Sequence, residues 1–154
     1  MKERVTVARA LKEKNRVAGR LAKARTLVGK ENSKDKDVMR GIDVAETYAL
    51  AKSLRDKLVS IKTAIALANS SIISKIIELD ELKSEISYLN ELDAKEGKVV
   101  STDYGVRIER DMEAVIHQSD VLKEVEALQS RADRLQDELD EFNATTRIEI
   151  EVEG

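Results

Sequence analysis

His117 is the only histidine in a chain of 154 residues. Glu113 lies four residues before it and Asp120 three after, so on a helix all three would share one face. A histidine between two carboxylates at that spacing is a candidate cation site. Four-helix di-metal proteins, however, take their ligands from two Glu-x-x-His motifs and further glutamates, and this chain has no Glu-x-x-His. A solvated surface histidine is the plainer expectation. The acid pairs Asp80-Glu81 and Asp140-Glu141 could in principle do proton transfer. In a chain with 30 acidic residues such pairs are equally expected on solvated helix faces.

Little else offers chemistry. There is no cysteine, which excludes a thiol nucleophile, a disulfide scaffold and a Cys-based zinc site. The six glycines are scattered and form no phosphate-cradling loop. The serines lack a positioned histidine partner. The expectation is a protein without catalytic residues and without a cofactor, with a metal-dependent enzyme centred on Glu113, His117 and Asp120 as the outlying alternative.

Charge supplies the next candidates. Residues 1–36 carry a net charge of +8, residues 37–108 carry −2 and residues 109–154 carry −9. A basic N-terminal segment, 2–36, can be a nucleic-acid arm, with Arg9, Arg16, Arg20 and Arg25 as contacts. It has no aromatic residue on which bases could stack, and its cations go round the helix. Mutual neutralisation of the first and last helices, within one subunit or across two, is the favoured explanation.

The elements that must position these groups are mostly helical. Charged residues make up 37% of the chain, proline and tryptophan are absent, and the apolar residues are nearly all aliphatic. An ordinary domain is about 25% charged; this composition suits long helices. A first helix is expected over about 3–28, with a thin, alanine-rich stripe interrupted by Lys14 and an end at Gly29. The polar segment 29–41 reads as a linker. A second helix is expected over 43–69, with Asp43 and Glu46 as a capping pair. Its seam of Ala51, Leu54, Leu58, Ile61, Ile65, Ala68 and Ile72 alternates steps of three and four, a heptad pattern.

Asn69-Ser70-Ser71 then interrupts with residues that prefer caps and turns. Either a single helix of about 50 residues, near 75 Å long, continues through this point, or two helices meet there, the second over 72–93. The second option is favoured. Residues 95–108 lose the helical period and suggest a loop or hairpin. A last helix, 110–143, carries the seam Val121, Val125, Leu128, Ala132, Leu135, Leu139 and Phe142. Residues 146–152 alternate apolar and charged, a strand signal. A lone strand must find a partner, either the 98–108 segment or a symmetry mate, or remain frayed. Asn69 and Asn143 each follow apolar residues four and eight positions earlier, which suggests two similarly capped helix ends or a paired polar site.

The stretches ALKEKNRVAGRLAK (10–23), IKTAIALANSSI (61–72), ELDELKSEISYLNEL (78–92) and LQDELDEFNATTRIE (135–149) together resemble uncharacterised bacterial helical proteins and, more distantly, the septicolysin-like family. That family has a Leu- and Arg-rich helix before a second helix ending in an Ile-x-x-x-Asn element; Ile65 to Asn69 or Leu139 to Asn143 would be its counterpart. The resemblance implies an all-α, oligomeric protein of unestablished activity. The helix–loop–β–helix order is also loosely similar to prefoldin-like chaperones.

The sequence thus predicts a single all-α domain over 1–154: an antiparallel bundle of long helices with coiled-coil-like packing, and a minor β element near 98–108 and 146–152. The N-terminus has no apolar core of signal-peptide length, and no window reaches the roughly 18 apolar residues of a membrane span. A cytoplasmic homo-oligomer, acting as a scaffold or interaction module for an unidentified protein partner, is the expected role.

Overall fold

The computed structural model describes residues 1–152. Among them the chain forms β1 (Lys2–Thr6), α1 (Val7–Glu31), α2 (Val44–Asn69), α3 (Ile73–Glu91), β2 (Gly97–Asp103), β3 (Val106–Met112), α4 (Gln118–Thr145) and β4 (Arg147–Glu151). Helix predominates, with two small antiparallel sheets, β1 with β4 and β2 with β3. The chain divides into two compact units. One comprises residues 1–72 with the chain from Asp140 onward, the other Ile73–Leu139.

In the first unit the expected helix start at residue 3 is wrong. Residues 2–6 form a strand, and the Thr6 hydroxyl accepts the Arg9 N–H at 3.2 Å. Thr6 therefore ends β1 and caps α1. Val7 donates its N–H to the Thr146 carbonyl at 2.9 Å, which carries the β1–β4 pairing to the residues where α1 begins and α4 ends. β4 pairs with β1, a partner the sequence reading did not consider. Lys2 stands opposite Glu151, Arg4 opposite Glu149 and Val5 opposite Ile148. Opposite charges across a ladder are stabilising. These facing charges belong to strands, not to the first and last helices between which the sequence predicts neutralisation.

Glu13 of α1 meets Lys57 of α2, while Arg25 and Val28 share a groove with Tyr48 and Ala51; the two helices run antiparallel. Ala10, Val17, Leu21 and Ala24 join Ala51, Leu54, Ile61 and Ile65 in one core, with Val5 and Ile150 from the sheet. Ile61 and Val17 are fully buried. The small side chains on α1 suit close approach of the helices. Ala51, Leu54, Ile61 and Ile65 of the α2 seam are therefore covered within their own unit, while Leu58, Ala68 and Ile72 stay half-buried.

Gly29 does not end α1, which runs on to Glu31. Beyond it Arg40 donates to the Glu31 and Asn32 carbonyls at 2.9 and 3.2 Å, and the Glu31 carboxylate accepts the Gly41 N–H at 3.0 Å. These bonds answer carbonyls that a helix end leaves open. The Asp43 carboxylate accepts the Glu46 N–H at 3.0 Å and starts α2. At Asn69-Ser70-Ser71 the helix breaks. Ile72 N–H reaches back three residues to the Asn69 carbonyl at 3.0 Å, and Ser70 Oγ donates to the Leu67 carbonyl at 2.8 Å. Serine hydroxyls that compete for backbone carbonyls account for the break.

In the second unit α3 and α4 run antiparallel, joined by the β2–β3 hairpin. Lys75 pairs with Glu138 at 2.7 Å and Arg131 with Glu78 at 2.8 Å. Leu79, Leu89, Val121, Ala132, Leu135 and Leu139 are buried. Residues 110–112, expected in the last helix, complete β3 instead, and α4 begins only at Gln118. The hairpin turns on Tyr104 and Gly105, with φ of +49° and +79°. Positive φ at both central residues defines a type I′ turn, whose twist matches the strands it joins.

Candidate functional site

The Glu113–His117–Asp120 face does not exist. Glu113 and His117 precede α4, and only Asp120 lies within it, so helical spacing does not apply. His117 Nδ1 instead meets Glu96 Oε1, both side chains about half exposed. The His117 carbonyl accepts the N–H groups of Asp120 and Val121 at 3.0 and 3.1 Å, which places it at the start of α4. Among the described residues no three His, Cys, Asp or Glu side chains gather as metal ligands would.

The four arginines of α1 are exposed but do not converge. Arg9 pairs with Glu3 at 3.5 Å. Arg16 grips Glu13 through two nitrogens, each at 2.9 Å. Arg25 lines a groove with Tyr48, Lys52 and Arg55, and Arg20 borders another with Lys23 and Leu50.

Glu13, not the Lys14 that the sequence suggests, is the charged residue set into the buried stripe of α1. Its side chain is only 9% exposed, and Lys57 of α2, itself 11% exposed, approaches it at 3.4 Å. The hydrogen-bonded Arg16 guanidinium is the main reason the carboxyl lies below its ordinary value. Burial opposes this, and the nearby Lys57 ammonium adds to it. The available signal was Arg16 three residues after Glu13, an arrangement that brings an ion pair together on a helix. A buried carboxylate with two cationic partners can fix the register of α1 against α2.

Tyr48 was also missed as a partner for the basic segment, because it lies outside it. Lys52 Nζ sits 4.8 Å from the centre of the Tyr48 ring, within the range of a cation–π contact. Tyr48 borders one groove of about 340 Å³ with Arg25, Lys52 and Arg55, and a second of about 530 Å³ with Arg40 and Asn32. The result is an aromatic ring set among cations from both helices.

The packing residues divide into two groups. Leu54, Ile61, Ile65, Val121, Leu135 and Leu139 are buried, whereas Leu58, Val125, Leu128 and Phe142 remain half-buried. On α3, Ile76, Leu82 and Ile86 are also half-buried, and Ile73, Ile77 and Tyr88 are half exposed or more. Both asparagines are half-buried. Among the described residues the Asn69 Oδ1 has no hydrogen-bond partner, so this oxygen does not bond to Asn143.

Comparison with protein-family models, with curated proteins and with solved structures finds no match to this chain. No helix among the described residues is long and apolar enough to cross a membrane.

Proposed function

We propose that the chain is an oligomeric helical scaffold that presents its outer faces to a protein partner in the cytoplasm. Coiled-coil-like packing between copies completes a bundle that one chain leaves open. The observation that carries this reading is the half-covered seam of the second unit. Val125 and Leu128 of α4, with Ile76, Leu82 and Ile86 of α3, alternate with buried neighbours yet keep part of their surface in water. Two helices cover each other along one stripe only. Apolar area left in water costs about 25 cal/mol per Å², and a two-fold partner is the usual means of covering it. The oligomeric state implied by the septicolysin-like resemblance agrees with this reading. Light scattering on the purified chain at micromolar concentration is expected to give at least a dimer. A compact monomer removes the proposal.

A second reading, nucleic-acid association, gains support from the Tyr48 groove. A ring beside Arg25, Lys52 and Arg55 supplies the aromatic–cation combination that single strands use. It requires retention of DNA or RNA at low salt that falls steeply as salt rises. Loss of that retention on replacing Arg9, Arg16, Arg20 and Arg25 by Glu would support it, and absence of binding at low salt would remove it.

A further inference from the structure

We propose that β3 is a pairing strand, through which two copies of the chain join their β2–β3 hairpins into one antiparallel four-stranded sheet. The inference rests on the oligomeric reading and names the surface by which it is achieved.

Among the described residues the β2–β3 sheet contains only these two strands, and within it only Val99, Ile108 and Met112 are even half-buried. A two-stranded hairpin with so little cover is marginal in water. Asp103 and Val106 flank the two-residue turn, and such a flanking pair exchanges both backbone hydrogen bonds. By alternation, Val106, Ile108, Arg110 and Met112 direct their backbone groups toward β2. Arg107, Glu109 and Asp111 direct theirs outward, to an edge that no strand among the described residues occupies.

That edge complements itself. When two β3 strands pair antiparallel about a two-fold axis at Ile108, Ile108 faces its own copy. Arg107 then stands opposite Glu109 of the second copy, and Glu109 opposite its Arg107. Both are residues whose backbone groups point outward, so the register also satisfies the ladder. Val106 falls opposite Arg110, and no like charges are juxtaposed. The β2 edge has no such match, because a two-fold axis at Val100 sets Lys98 against Thr102. The chain already uses this chemistry once. An Arg-Ile-Glu run recurs at Arg147–Glu149 in β4, where Glu149 faces Arg4 of β1.

The test is charge reversal followed by mixing, on the full chain, read by sedimentation velocity at micromolar concentration. Arg107→Glu alone sets glutamate against glutamate at both cross-pairs, and Glu109→Arg alone sets arginine against arginine. Each variant is expected to weaken association by about tenfold or more while keeping the wild-type helical circular dichroism. Mixed in equal amounts, the variants are expected to recover association as a heterodimer, since every cross-pair then joins a glutamate to an arginine. Both variants also lose the 3.2 Å pair between Arg107 and Glu109 within one strand, so recovery on mixing cannot come from that pair. Variants that associate like the wild type overturn the strand pairing and leave the oligomeric reading intact. A mixture that stays monomeric also overturns it. A monomeric wild type removes both.

Discussion

At the scale of single residues, Glu13 is the group whose environment departs most from solvent. A carboxyl held below its ordinary value stabilises the fold at any pH above that of the unfolded chain, near 4.5, and loses this contribution as pH falls through the lower folded value. Urea unfolding at pH 7 and at pH 3 is therefore expected to show a smaller drop in stability for Glu13→Gln than for the wild type. Equal drops would mean that Arg16 and Lys57 do not act on this carboxyl. Glu31, held low chiefly by Lys34, and Glu138, held low chiefly by Lys75, add to the acid sensitivity of the wild type in the same direction. Replacing Lys57 alone leaves Glu13 with one cation and an unfilled neighbour. Replacing Glu13 by leucine takes a carboxylate away from Lys57, which is itself only 11% exposed, and removing one partner of a buried ion pair is destabilising.

At the scale of elements, the β2–β3 turn holds a strained residue. Tyr104 takes a left-handed backbone conformation and its side chain is fully exposed, so it pays the steric cost without packing in return. Asparagine visits that conformation far more readily. Tyr104→Asn is expected to stabilise the hairpin by roughly 0.5–1 kcal/mol, measured as slower amide exchange in β2 and β3; unchanged exchange would mean the turn is not strained. The helices were legible because their apolar steps repeat over many turns. The break at Asn69-Ser70-Ser71 was legible because its hydroxyls compete for backbone bonds. β1 was not, since Val5 is the only apolar side chain among residues 2–6 and a period of two cannot be read from one. The start of α4 was misplaced for a related reason: Arg107–Met112 carries charges at a density that also suits a helix, and its β-partner lies on the preceding segment. The Glu113–His117–Asp120 candidate failed with that boundary, and Glu13 was hidden because a charged residue on a core face breaks the pattern used to find the face.

At the scale of the whole molecule, the two units differ in how they bury their apolar surface. The first draws on two helices and a sheet, and Val7, Ala10, Val17, Leu54 and Ile61 are almost wholly sealed. The second relies on two helices whose seam is half covered. If a second copy completes it, its stability depends on concentration by mass action. Amide exchange in α3 and α4 is then expected to slow as the protein is concentrated from nanomolar to micromolar, while exchange in the α1–α2 core stays constant. Constant exchange in both units would mean that association does not reach the seam.

The ladder between β1 and β4 also bears on how the chain is made. Val5, Ile61 and Ile65 emerge early from the ribosome, but Ile150, which closes over the same core, comes some 80 residues after α2 ends. At about 5–20 residues per second the nascent α1–α2 pair waits roughly 4–16 s with that end uncovered. Translation through the second unit thus sets the time during which a chaperone, or a neighbouring nascent chain, can reach the unfinished core.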